Sequence, residues 1–235
     1  MISRNKLHHR LLSRFASSSV GVAAGRAMDW LLWRLGRDSH RFWNAHYRLG
    51  GTSGPGSTGV LADYKAEFIN NFIKDHHVAS VTDFGCGDGN QLSLLECPVY
   101  VGLDVSKYAL VRCMQLFCSD SSKSFFLYKP ELFMDRKGIF RSELALSLDV
   151  IFHLVEDATY GAYMDQLFDC AERYVIIYSS NSSGSLGNPR YTKHRPFVDW
   201  VSEHKVDWEQ LASPENPLSN MTKSSFYIFA RRSKG

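Results

Sequence analysis

Val81-Thr82-Asp83-Phe84-Gly85-Cys86-Gly87-Asp88-Gly89 is the stretch that decides the fold. An apolar, β-branched run reaches an acidic residue and then breaks into three glycines at alternate positions. Asp104 closes a second short apolar run, Val99 to Leu103, 21 residues after Asp83. In an α/β sheet, a glycine turn after a strand lets the backbone approach a nucleoside-type ligand. A carboxylate at the end of the next strand accepts bonds from ribose hydroxyls. The spacing is Gly85-x-Gly87-x-Gly89, and Asn90 stands where the G-x-G-x-x-G pattern of dinucleotide folds has its third glycine. That departure argues against a nicotinamide-type enzyme.

Outward from this stretch the chain alternates. A helix is expected over 28–49, punctuated by Gly36. Residues 50–59 hold five glycines in ten positions and read as a loop, either a flexible linker or a lid. Leu61, Tyr64, Phe68, Ile69, Phe72 and Ile73 recur at three- and four-residue spacing, predicting a helix over 60–76. Strands are predicted at 79–84, 99–103, 124–128, 144–148 and 174–178. Helices are predicted from Asn90, from Ser106 as N-cap, and over 158–171. A helix at 197–203 and strands at 206–211 and 226–230 complete the chain. Strands alternating with helices predict a parallel sheet covered on both faces. The organisation is a basic N-terminal helical extension (1–49), a Gly-rich loop (50–59) and one α/β domain (60–235).

Bulk properties narrow the function. The chain has 235 residues, 44% of them hydrophobic, enough for one domain with a sizeable core. A net charge of +3 is too small to argue for a nucleic-acid partner. No apolar run reaches the length of a membrane span. Five cysteines without C-x-x-C spacing speak against a zinc site or a disulfide framework and for a reducing, cytoplasmic setting. Residues 1–28 contain Arg4, Lys6, Arg10, Arg14 and Arg26 and no acid. Three readings stay open there: a helix resting on the inner membrane face, an organellar presequence, or a solvated extension.

The glycine stretch resembles the first motif of class I S-adenosylmethionine (SAM)-dependent methyltransferases. Val101-Gly102-Leu103-Asp104 is similar to their second motif, and Leu144-Ala145-Leu146-Ser147-Leu148-Asp149 to their fourth-strand motif. Tyr47, Gly50-Gly51-Thr52-Ser53-Gly54 and Gly87-Asp88-Gly89-Asn90-Gln91 resemble bacterial methyltransferases found beside glycosyltransferases. The resemblance implies a Rossmann-like, seven-stranded, mainly parallel sheet with an antiparallel last strand. It implies SAM as cofactor, held by Asp83 at the methionine amino group, by the backbone of Gly85, Cys86 and Gly87, by Asp104 at the ribose, and by Asp149. It also implies a small or glycan-type acceptor methylated at oxygen, with Tyr47 near it.

Methyl transfer is an in-line displacement in which the protein supplies alignment and desolvation; a hydroxyl acceptor also needs a base. His153, just past the fourth strand, is the candidate base, with a core or helix-capping histidine as the plainer reading. No second histidine stands at metal-ligand spacing from it, so no metal is expected. Residues 190–200 interleave Arg190, Lys193, His194 and Arg195 with aromatics. His194 and Arg195 are candidate contacts for an anionic or sugar acceptor, against a solvated loop anchored by Phe197 and Trp200. No N-P-P-Y or D-P-P-Y run points to amine methylation. A non-catalytic SAM-fold scaffold partnering a glycosyltransferase is the alternative.

Overall fold

The computed structural model describes residues 38–183, 191–211 and 213–233. Seven strands form one sheet: β1 (Ser80–Phe84), β2 (Val99–Asp104), β3 (Lys123–Leu127), β4 (Ser142–Leu148), β5 (Ala171–Ser179), β6 (Trp208–Gln210) and β7 (Ser225–Arg231). Their order is β3-β2-β1-β4-β5-β7-β6. The first five run parallel, while β7 is antiparallel to both β5 and β6. The order reverses between β1 and β4, so a crevice opens at their carboxyl ends, where open α/β sheets take ligands.

Alternation along each strand divides the core. Val81, Leu144, Leu146, Ile176, Tyr178, Phe226 and Ile228 point to one face, and Phe84, Ala145, Val175, Ile177 and Phe229 to the other. The first face is covered by α2 (Gly59–Asp75), which buries Ala66, Ile69, Phe72 and Ile73, and by α3 (Lys107–Leu116). The second is covered by α4 (Asp157–Cys170) and α5 (Phe197–His204), through Tyr163, Met164, Leu167, Phe168, Phe197 and Val201. α1 (Ser39–Arg48) lies beside α3, started by Asp38, whose carboxylate accepts the Arg41 N–H at 2.7 Å. Ser106 caps α3 as its sequence predicts, accepting the Ala109 N–H.

The helix expected from Asn90 does not form. Only a single 3₁₀ turn, Leu92–Leu94, follows β1. Pro98 limits the segment, and its polar residues bond locally instead: Ser93 Oγ donates to Asn90 O, and the buried Gln91 amide donates to Ala62 O on α2. Besides Gln91 it buries Leu92, Leu95 and Cys97. Other boundaries shift modestly, with β5 starting at Ala171 and β6 shrinking to Trp208–Gln210. The expected helix over 28–37 and the basic segment 1–28 lie outside the described residues. Among the described residues no helix is long and apolar enough to cross a membrane.

Candidate functional site

A cavity of about 590 Å³ opens over the carboxyl ends of β1, β2 and β4. Its floor is the glycine turn. Gly85 and Gly87 adopt φ of +88° and +60°, a region that side chains avoid. A Cβ on Gly85 would fall 2.5 Å from Val150, and one on Gly87 would fall 2.3 Å from Ser53 Oγ. The turn is tied to β2, because the Gly87 N–H donates to Asp104 Oδ2 at 2.9 Å and the Ser106 N–H to Oδ1 at 2.8 Å. Burial nevertheless pushes the Asp104 carboxyl up to about 6.

Asp83, next to last in β1, lines this cavity. Tyr100 donates its hydroxyl to Oδ2 at 2.8 Å, while Oδ1 is buried with no partner among the described residues. Desolvation raises its pKa to about 7, the Tyr100 bond opposing this only in part. A buried carboxylate oxygen left open at a ligand cavity suits a cationic group. Cys86 is buried in the turn, and its hydrogen bond with Cys113 together with burial pushes its thiol well up, so it is a small filler rather than a nucleophile.

The Gly-rich loop lies directly on this floor. Ser53 Oγ donates to Asp88 Oδ1 at 2.7 Å and accepts the Asp88 N–H at 3.1 Å. Ser53 has one proton and gives it to Asp88, so the Tyr47 hydroxyl, 2.8 Å away, is the donor in that pair. Arg112 on α3 holds the loop's base, donating to Gly51 O at 2.5 Å and Tyr47 O at 3.0 Å. The Asn90 amide donates to Ser57 O. Tyr47, expected near the acceptor, is therefore buried against the glycine turn, on the side of Asp104.

Asp149 lines the cavity with φ of +59°, an uncommon conformation for a residue with a side chain. Its Oδ2 accepts Lys65 Nζ at 2.7 Å, and Ser224 Oγ donates to its Oδ1 at 3.1 Å. Lys65 is only 1% exposed, a cation on the apolar face of α2. A Cβ on Gly56 would fall 2.8 Å from Asp149 Oδ2, so loop and carboxylate pack against each other.

His153 sits at the end of a 3₁₀ turn, Ile151–His153, and lines the cavity. Its Nδ1 lies 3.1 Å from Tyr191 O. A carbonyl can only accept, so Nδ1 carries the proton and Nε2 keeps a lone pair. Burial lowers its pKa to about 4, so it is neutral near pH 7. Trp43 meets it edge-on at 4.8 Å, and Phe42 stacks on Tyr191 at 5.7 Å. Together with Phe152 these rings make an aromatic wall to the cavity.

His194 and Arg195 stand elsewhere than expected. Neither lines the cavity. Arg195 donates to Leu154 O and Val155 O, pairs with Asp157 at 2.8 Å and covers the Tyr160 ring at 4.3 Å. Lys193 pairs with the same carboxylate at 2.6 Å, and the two cations lower the Asp157 pKa to about 2. The basic cluster pins its own loop to α4. His194 bonds Ser180 and stacks on Phe152, one layer behind the cavity wall. Arg190 lies outside the described residues.

Sequence reasoning gave no role to Lys65, Tyr100 or Trp43, and named Ser53 only as part of the loop motif. Lys65 carried a legible signal, since it shares the Ala62, Ala66, Ile69 and Ile73 face. Tyr100 did not, because its partner becomes apparent only once β1 and β2 are paired with Asp83 opposite Gly102. Among the described residues no group of three histidines, cysteines or carboxylates could hold a metal.

Solved structures share this fold. The methyltransferase domain of bacterial CtHen1-C matches with a TM-score of 0.58 and 22% identity, over 73% of this chain and 98% of that one. The N-methyltransferase NodS from Bradyrhizobium japonicum WM9, in complex with S-adenosyl-L-homocysteine (SAH), matches with 0.60 and 11%, over 84% and 100%. Magnesium protoporphyrin IX methyltransferase (ChlM) from Synechocystis PCC 6803, with bound SAM, matches with 0.57 and 14%, over 83% and 98%. The fold is the Rossmann-like methyltransferase fold. No family model and no curated protein sequence matches the chain. Within the methyltransferase fold, the glycine turn, Asp83 and Asp104 occupy the carboxyl edge of β1 and β2.

Proposed function

We propose that this chain is a SAM-dependent methyltransferase acting at oxygen on a small or glycan-type acceptor, with His153 as general base. The observation that carries the reading is Asp83: a buried carboxylate that lines the cavity over the glycine turn and has one oxygen with no partner among the described residues. The methionine ammonium of SAM supplies the missing cation, and the ribose hydroxyls suit the remaining lone pairs of Asp104. When bound, SAM supplies a methyl carbon activated by its sulfonium.

The chain's own residues do the rest. Gly85 and Gly87 bring backbone close to the ligand. The loop 50–59 acts as a lid, with Ser53 and Gly56 closing over the floor and excluding water. His153 Nε2 takes the acceptor's hydroxyl proton, its ring oriented by Tyr191 O and Trp43. Trp43, Phe152 and Tyr191, all partly exposed, offer flat apolar faces to an acceptor ring. With Lys193 and Arg195 held by Asp157, the wall favours an uncharged acceptor over the anionic one the sequence suggested. The glycan class rests on the resemblance to methyltransferases found beside glycosyltransferases.

Calorimetric titration with SAM, SAH and NAD tests the cofactor. Micromolar binding of SAM and SAH, lost in Asp104→Ala, is expected, with none for NAD. Failure of SAM and SAH to bind, or unchanged affinity in the variant, overturns the reading.

A further inference from the structure

The segment between β3 and β4, residues 128–141, is built with two faces. Phe133 and Phe140 turn inward, their rings 5.3 Å apart, and pack on the core around Phe84 and Tyr128. Their neighbours turn outward: Leu132, Met134 and Ile139 are 78%, 69% and 73% exposed. The segment is held in this form, because Asp135 accepts the N–H groups of Ile139 and Phe140 at 2.9 and 2.8 Å. The bare surface continues onto the sheet edge, where Phe126 and Leu127 are half exposed and Phe126 meets Phe140 at 5.1 Å.

Charge surrounds these apolar tips. Lys129, Arg136, Lys137 and Arg141 are all exposed. The segment's two acids are turned to other work, Asp135 on the loop backbone and Glu131 on Thr159 Oγ1 and His40. His40 stands two residues after the point where the chain enters the described fold, 3.2 Å from Glu131. Residues 1–28 of the chain carry five cations and no acid.

Large apolar side chains held out on an ordered loop, ringed by cations, are what an anionic lipid surface takes up. We propose that residues 126–141 form a docking surface for an anionic bilayer, with Leu132, Met134 and Ile139 entering the headgroup boundary and the four cations facing lipid phosphates. A second copy would bring four cations against four, and the basic N-terminal segment would meet like charge, so neither fits the surface as well.

The test is co-sedimentation of the full chain with vesicles of equimolar phosphatidylglycerol and phosphatidylcholine, and of phosphatidylcholine alone. The wild-type chain is expected to sediment with the anionic vesicles only. The triple variant Leu132→Ser, Met134→Ser, Ile139→Ser is expected to partition at least tenfold less while still binding SAH. Emission of a Met134→Trp variant is expected to shift to the blue on the anionic vesicles. Absence of wild-type sedimentation, equal sedimentation of the triple variant, or a change in its oligomeric state by light scattering overturns the proposal. If the triple variant does not fold, an unshifted Met134→Trp emission overturns it alone. SAH binding is read separately, so the methyltransferase reading and this one fail independently.

Discussion

An aspartate with one oxygen on Tyr100 and the other open keeps its proton up to about pH 7. The unfolded chain releases that proton near pH 4. Between these values the folded state binds more protons, so stability of the ligand-free protein falls as pH rises through the window. Asp83→Asn removes that loss. Its melting temperature is expected to exceed the wild type's by several degrees, roughly 5 °C, at pH 8 and to match it near pH 4. Binding runs the other way, because a cationic ligand needs the ionised acid. Wild-type affinity for SAH is expected to weaken about tenfold per unit below pH 7, and Asp83→Asn to lose on the order of 100-fold at pH 8. Titrations at pH 6 and 8 check both; a flat profile removes Asp83 from the site. His153 answers to a different measurement. With a pKa of about 4 it is neutral throughout the working range. His153→Asn is expected to lower kcat by about 10²- to 10⁴-fold with SAH affinity unchanged. The wild-type kcat profile at saturating cofactor should show no acid limb above pH 5; a limb near 6.5 contradicts the buried, neutral imidazole.

At the scale of elements, the glycine turn and the loop above it are one unit. A methyl group at Gly87 strains φ of +60° and collides with Ser53 Oγ. Gly87→Ala alone is expected to weaken SAH binding at least tenfold. Adding Ser53→Gly relieves the collision but not the strain, so the double variant should recover part of that loss; strict additivity in the cycle would separate loop from turn. The ion pair of the buried Lys65 on α2 with Asp149 makes a second cycle. Lys65→Met leaves Asp149 without its cation and is expected to cost roughly 3 kcal/mol in denaturant unfolding. Asp149→Asn in that background should return part of it. These elements also show what the sequence could carry. The Ser106 cap and the turn after β1 are local, and Ser106, Gly85 and Gly87 announce them. The missing helix after Asn90 is not local: α2 already covers that face, and Gln91 reaches across to it. Arg195 was legible as a cation but not as a partner of Asp157, 38 residues away, because that pairing exists only after α4 and the loop at 191–195 have docked.

Over the whole molecule, stability is distributed unevenly, and the site lies across the division. β1, β4 and β5 are central, paired on both sides and buried on both faces. Among the described residues, α1 and the loop 50–59 reach no strand through a backbone bond. They are held by Ser39 on Glu156, Arg112 on Gly51 O and Tyr47 O, Ser53 on Asp88, and Phe42 on Tyr191. Such a segment opens at far lower free energy than the sheet. A ligand seated between it and the glycine turn adds its binding energy to the closed form only, RT ln(1 + [L]/Kd), about 2.7 kcal/mol at a hundredfold excess over Kd. In native-state hydrogen exchange, saturating SAH is therefore expected to slow the amides of residues 39–58 by about 100-fold. Amides of β4 and β5, which open only with the whole fold, should slow by no more than global stabilisation allows. Equal slowing everywhere would mean that the α1 segment and the sheet open together, and the loop would then be a fixed wall of the site rather than its lid.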